Sequence, residues 1–209
     1  MTIKLYDYSL SGSCYKVRLL LRFLELDYER EQIDFYPGRQ HKTLDFLEIN
    51  PLGQIPVLDD DGLRLRDAQA ILCYLASKYD SSGRWLPRGP REFGPVMMWL
   101  MFAGGELMQA SAARLHDALG YNLDIDAARA SARSAFRIFD DHLTRREIEG
   151  MKWIVGDHPT IADIACFPYV ALAGDGGIGH EEYPALRNWM RNFRKLPRFH
   201  AMSGIPEFA

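Results

Sequence analysis

Asn50-Pro51-Leu52-Gly53-Gln54-Ile55-Pro56-Val57-Leu58-Asp59-Asp60-Asp61-Gly62-Leu63-Arg64-Leu65-Arg66-Asp67 is the stretch on which the reading of this chain turns. Ile55–Leu58 and Leu63–Arg66 are short apolar runs flanking Asp59-Asp60-Asp61-Gly62, and an Asp-Gly step between such runs is a strong hairpin signal. Two antiparallel strands are predicted, with Pro56 at a strand start, where proline is tolerated. An X-Pro bond reaches cis at modest cost, which would leave the N–H and C=O of Ile55 turned outward for a peptide ligand. An edge strand that simply begins with proline is the equally open reading. Asp67 then stands where it can N-cap a helix over Ala68–Tyr79, whose apolar face is Ile71, Leu72 and Leu75. Capping alone accounts for Asp67. If an amino acid binds there, however, the carboxylate meets its ammonium and the helix amides meet its carboxylate.

Toward the N-terminus the pattern mixes two periods. Ile3, Leu5 and the pair Tyr6/Tyr8 predict a short strand, and Ser13–Leu26 a helix with Val17, Leu20, Leu21 and Leu24 on one face. Tyr28–Phe35 predicts a second strand, Pro37 and Gly38 break it, and Thr43–Glu48 predicts a short helix closed by Asn50-Pro51. The order β-α-β-α-β-β-α describes a compact α/β unit of thioredoxin type. Beyond Tyr79 the composition changes: Ser81-Ser82-Gly83-Arg84 through Pro87-Arg88-Gly89-Pro90 is turn-rich, which places a linker at 81–89 after a first domain over 1–80. Phe93–Leu119, Ile125–Arg146, Thr160–Ala173 and Tyr183–Lys195 all read as helices, so 90–209 is expected to be an all-α domain.

Composition narrows the function. The chain has 209 residues, 47% hydrophobic, enough for a core without disulfide or metal staples. A net charge of −3 leaves no electrostatic footprint for nucleic acid or an anionic membrane. Cys14, Cys73 and Cys166 are odd in number and lack metal-ligand spacing, so neither a disulfide scaffold nor a metal site is expected. With no apolar signal region at the start, the expectation is a soluble cytoplasmic protein.

Candidate chemistry gathers at Ser9-Leu10-Ser11-Gly12-Ser13-Cys14-Tyr15-Lys16-Val17, between the first strand and the first helix, where unpaired amides and the helix dipole favour an anion. A hydroxyl there can donate to a thiolate. Ser11-Gly12-Ser13-Cys14 has the frame of a C-x-x-C redox motif with serine leading, so no intramolecular dithiol is possible. Ser11 and Ser13 as rival helix caps, and Cys14 as a small buried hydrophobe, are the plainer readings. Thr160-Ile161-Ala162-Asp163 reads as a structural capping box. His41 and Lys42 follow a glycine-containing loop and read as solvated surface, and Met97, Met98, Met101 and Met108 with Phe102 read as an apolar core stripe.

Taken together and in order, Leu5-Tyr6, Ser11, Lys16-Val17-Arg18, Asn50–Leu58, Asp67–Leu75 and Pro159–Ala165 resemble the cytosolic glutathione transferases over essentially the whole chain, nearest to the serine-type theta, zeta and nu-like bacterial classes. The resemblance implies a thioredoxin-like domain, an all-α domain, a homodimer, reduced glutathione as cosubstrate and a small hydrophobic electrophile. It implies that Ser11 hydrogen-bonds the glutathione sulfur with Ser13 assisting. Ile55 would pair with the cysteinyl backbone beside a cis Pro56, Gln54 and His41 would lie toward the glycyl end, and Asp67 would meet the γ-glutamyl amine. Ala68 departs from the pattern, standing where the family has a serine on the γ-glutamyl carboxylate, so only its amide remains. Tyr8, Met108 and Arg114 are expected by position near the electrophile. Glutathione-dependent disulfide or peroxide reduction, and a non-catalytic binding protein of the same fold, are the rival functions.

Overall fold

The computed structural model describes residues 2–205; Met1 and residues 206–209, the outer ends of the two expected domains, lie outside the described residues. Four strands, β1 (Ile3–Asp7), β2 (Glu29–Gln32), β3 (Val57–Asp60) and β4 (Leu63–Arg66), form one sheet in the order β2-β1-β3-β4. β1 and β2 run parallel, Leu5 opposite Arg30, and a parallel pair needs a crossover, which α1 (Gly12–Phe23) supplies. The predicted hairpin is present, Leu58 opposite Leu65, and β3 is antiparallel to β1. The second strand is shorter than its predicted span: after Gln32, Asp34 turns its carboxylate onto the Gly38 N–H (3.0 Å) and the chain leaves the sheet. α2 (Leu44–Ile49) and α3 (Ala68–Tyr79) complete the predicted order.

Period-2 alternation loads both faces of the sheet. Ile3, Leu5 and Leu58 point into the main core with α1 and α3, whereas Val57 points the other way, onto Ile33 and Phe46. The main core runs on into the helices that follow: α4 (Pro90–Gly104), α5 (Met108–Leu119), α6 (Ile125–Ile148), α7 (Ile161–Ala171) and α8 (Pro184–Arg194). α7 is central, buried from Ile161 to Val170, and packs on α1, α3, α4, α5 and α8.

Two expectations are corrected. The helix expected over 93–119 is two, since Gly104-Gly105 ends α4 and α5 restarts at Met108. Gly104 lies against the end of the Gln69 side chain of α3, 2.7 Å from where a Cβ would stand. The methionine stripe is core only in part: Met97 and Phe102 pack against the main core, whereas Met98 is 58%, Met101 60% and Met108 49% exposed. Among the described residues no helix is long and apolar enough to cross a membrane, and no cluster of His, Cys, Asp or Glu could hold a metal ion.

Candidate functional site

The loop from Tyr8 to Ser11 is held by arginines from two elements. Arg18 of α1 donates to the carbonyls of Tyr8 (3.3 Å) and Ser9 (3.0 Å), and Arg114 of α5 donates to that of Leu10 (2.9 Å). The fully buried Asp7 carboxylate pairs with Arg18 and Arg30 and orients the first of these clamps. Ser11 is thereby set as the N-cap of α1, its Oγ accepting the Cys14 N–H at 3.2 Å. A capping oxygen used as acceptor keeps its own proton to donate. Cys14 is fully buried, and burial pushes its thiol up to about 12, so it is no thiolate at neutral pH. The Ser13 hydroxyl lies 2.7 Å from that of Tyr169 on α7, and either oxygen can be the donor.

The second wall is the turn before β3. Ile55–Pro56 is cis, and among the described residues neither N–H nor C=O of Ile55 has a hydrogen-bond partner. The turn is held from behind by the Asn50 amide, which donates to Gln54 O at 2.7 Å, while the Gln54 side chain is exposed. Gly53 has φ +56° and lies so close to His41 O that a Cβ would stand 2.6 Å from it. Lys42 Nζ reaches across to Gly53 O (2.7 Å) and Leu52 O (3.3 Å).

The solvated-surface reading of His41 is corrected here. Its ring is 3% exposed and stacks on Phe35 at 4.0 Å, which in turn stacks on Tyr8 at 5.4 Å. Burial, then the Lys42 and Arg39 cations, hold its pKa below the usual histidine range, so the exposed cation beside the turn is Lys42. The two residues are adjacent and the 3-10 turn over Gln40–Lys42 decides which one points inward.

The third wall is the start of α3. Asp67 sits at φ +73°, ψ 124°, sparsely populated for a residue with a Cβ, and such positions concentrate at ligand sites. Its Oδ1 accepts the amides of Gln69 (2.9 Å) and Ala70 (3.1 Å), leaving Oδ2 and the Ala68 N–H without partners among the described residues. An exposed carboxylate oxygen beside a free amide at a helix N-terminus suits a zwitterionic amino-acid end.

Tyr8 is half-buried, Met108 is 49% exposed and Arg114 also binds Asp175 at 2.9 Å, so the three are spread over the loop after β1 and the start and middle of α5. A narrow cleft of about 10 Å³ lies where α1, α5 and α7 meet, lined by Gly12, Arg114 and Tyr169 among others. A larger hollow of about 360 Å³, between the end of α3 and the start of α4, contains none of the site residues. Sequence reasoning missed the Lys42 ammonium that holds the Gly53 and Leu52 carbonyls, and Tyr169 altogether; Tyr169 lies 156 residues from Ser13, with no local pattern to flag it.

A four-stranded α/β unit of thioredoxin type whose α1 and α3 pack through α7 on a helical unit is the glutathione S-transferase fold. The chain matches the glutathione S-transferase N-terminal domain over residues 1–77 and the glutathione S-transferase C-terminal domain over 122–192. It is 31% identical to the disulfide-bond oxidoreductase YfcG of Escherichia coli, over 88% of this chain and 86% of that protein. Among solved structures it resembles a glutathione S-transferase from Pseudomonas fluorescens (TM-score 0.86, 32% identity, covering 96% of this chain and 98% of that one). It also resembles a glutathione transferase homolog from Lodderomyces elongisporus solved with two GSH per subunit (TM-score 0.85, 28% identity, 95% of each chain). The chain belongs to the glutathione S-transferase family and carries its glutathione-dependent transferase activity.

Proposed function

We propose that the chain is a serine-type glutathione transferase in which Ser11 stabilises the glutathione thiolate for attack on a small hydrophobic electrophile. The observation that carries this is the pair of opposite environments at the start of α1: Ser11 Oγ accepts from Cys14 N–H and keeps a proton to give, while Cys14 is sealed in the core. An unperturbed thiol has a pKa of about 8.5, so a donated hydroxyl and a helix N-terminus that lower it by a unit or two make the nucleophile available at neutral pH. The thiol proton leaves to solvent, the sulfur lone pair forms the bond to the electrophilic carbon, and the leaving group departs with its bonding pair.

In the same reading Ile55 pairs through its backbone with the cysteinyl unit, Asp67 Oδ2 meets the γ-glutamyl ammonium and the Ala68 amide its carboxylate. Lys42 supplies the cation toward the glycyl end, with Gln54 beside it and His41 shaping the turn from beneath. Ser13 adds a second hydroxyl beside Ser11, and Tyr8, Met108 and Arg114 border the electrophile side. A hydroxyl missing at Ala68 removes one charge-assisted hydrogen bond, about 1.5–3 kcal/mol of binding. The division at 81–89, a homodimer and a cytoplasmic location belong to the same proposal. Disulfide reduction is the second reading, favoured by the name of the E. coli relative.

Calorimetric titration with reduced glutathione, followed by turnover of chloronitrobenzene and of hydroxyethyl disulfide, tests it. Binding with conjugation of chloronitrobenzene is expected. Turnover of the disulfide alone moves the protein to the reductases, and absence of glutathione binding removes both readings.

A further inference from the structure

Lys16, on the second turn of α1, is 0% exposed, and its Nζ has no hydrogen-bond partner among the described residues. What it meets is the face of the Tyr169 ring, 3.5 Å from the centroid. A buried cation without a hydrogen bond is costly, and a ring face offsets part of that cost. Leu19, Leu20 and Leu21 fill the neighbouring buried positions of the helix, and an apolar side chain would serve packing better at 16 as well. A charge kept against the interest of stability points to a task.

Tyr169 also touches the thiol end of the fold. Its hydroxyl is 2.7 Å from Ser13 Oγ, with either oxygen able to donate, and its ring edge lies 3.4 Å from where a Cβ on Gly12 would stand. A positive charge on the ring face draws electron density from the phenol and makes its O–H the better donor. Tyr169 then donates to Ser13, and the Ser13 proton is left for an acceptor at the mouth of α1. We propose that Lys16 and Tyr169 are positioning residues that direct the Ser13 proton to the glutathione sulfur, so that the thiolate has a second hydroxyl donor beside Ser11. The inference rests on the reading of this helix end as the thiol site.

The charged and titratable groups around the pair do not displace this role. Arg114, which lines the same cleft from α5, is held by Asp175 (2.9 Å) and the Leu10 carbonyl. Arg18, on α1, is held by Asp7 of β1. On α7, Cys166 is fully buried and burial pushes its thiol up, leaving it neutral, while the Asp163 carboxylate is occupied by Trp189, Ile154 and Thr160.

The test uses the full chain with reduced glutathione, following thiolate ultraviolet absorbance against pH in wild type, Tyr169→Phe, Ser13→Ala, Lys16→Met and the double variant Ser13→Ala/Tyr169→Phe. Tyr169→Phe is expected to bind glutathione within about twofold of wild type at about pH 5.5, below the titration, but to raise the bound thiol's titration by about one unit, leaving roughly three- to eightfold less thiolate at about pH 7. Lys16→Met should shift it the same way while melting at a higher temperature, since an apolar side chain replaces a buried charge. The double variant should be no worse than Ser13→Ala alone, because both changes break one chain of donors. An unchanged titration in Tyr169→Phe, additive losses in the double variant, or a Lys16→Met protein less stable than wild type each overturn the proposal. Wild type that binds no glutathione, or binds it without lowering its titration, fails instead the reading of the site on which the proposal rests.

Discussion

Ser11 and Cys14 sit three positions apart on one helix end, and burial separates their chemistry. Ser11→Ala removes a charge-assisted donor and is expected to lower conjugating activity by about 10–100-fold. Cys14→Ala leaves the Cys14 N–H and its bond to Ser11 in place, so most activity should survive, at a stability cost of about 1–2 kcal/mol for the small void. Initial rates with a chloronitrobenzene substrate and urea melts on both variants check this; an inactive Cys14→Ala would make the protein a cysteine-type enzyme. Both roles could be proposed from the serine-led frame Ser11-Gly12-Ser13-Cys14, because N-cap geometry is local. His41 against Lys42 could not be settled that way. Adjacent polar residues in a turn exchange inside for outside with a small change in φ, and the stack on Phe35 decides it.

At the scale of elements, α7 is the peg on which the helical half hangs. Its capping box is complete, with Asp163 Oδ2 accepting the Thr160 N–H at 2.9 Å, while Oδ1 accepts the Ile154 N–H (3.2 Å) and the Trp189 indole N–H (2.8 Å) of α8. Full burial pushes the carboxyl from its ordinary 3.8 up to about 6, against these donors. A carboxyl whose folded pKa is raised contributes stability that is fully present below its unfolded value and is lost as pH rises through the folded one. Stability from this group therefore falls between about pH 4 and 6, by at most roughly 3 kcal/mol. Asp163→Asn should flatten that slope in thermal melts and cost about 2–3 kcal/mol overall, since its amide nitrogen replaces one of the two oxygens and cannot accept from the Thr160 N–H or, in the flipped orientation, from the Ile154 and Trp189 donors. Parallel pH curves for variant and wild type would show that Asp163 does not titrate in this range. The capping box was legible from Thr160-Ile161-Ala162-Asp163; its link to Trp189 was not, for nothing local predicts which indole 26 residues away will reach it.

For the molecule as a whole, the exposed apolar side chains of α4 carry the assembly prediction. Phe93 is 40%, Met98 58% and Met101 60% exposed, more apolar surface on one helix than scattered single residues require. With a homodimer proposed, sedimentation should give about twice the 23.9 kDa chain mass, and Met98→Lys/Met101→Lys should shift the protein toward monomer with glutathione affinity nearly intact. Wild type that sediments as a monomer would leave this face without its proposed partner.

Short-range patterns in the sequence determined the α/β order, the hairpin at Asp61-Gly62, the N-caps at Asp67 and Thr160 and the all-helical second half, because hydrophobic period, turn chemistry and capping act within a few residues, while the choice between Ser11 and Ser13 as the cap of α1 was left to the structure. The break at Gly104-Gly105 and the outward methionines needed the fold, since periodicity runs unbroken through both and says which residues share a face, not what that face meets. The closing of the site needed it too. Ser13 meets Tyr169, Leu10 is held by Arg114 and Lys16 lies against the Tyr169 ring only because α5 and α7 pack across the start of α1, and contacts between residues more than a hundred positions apart are fixed by packing.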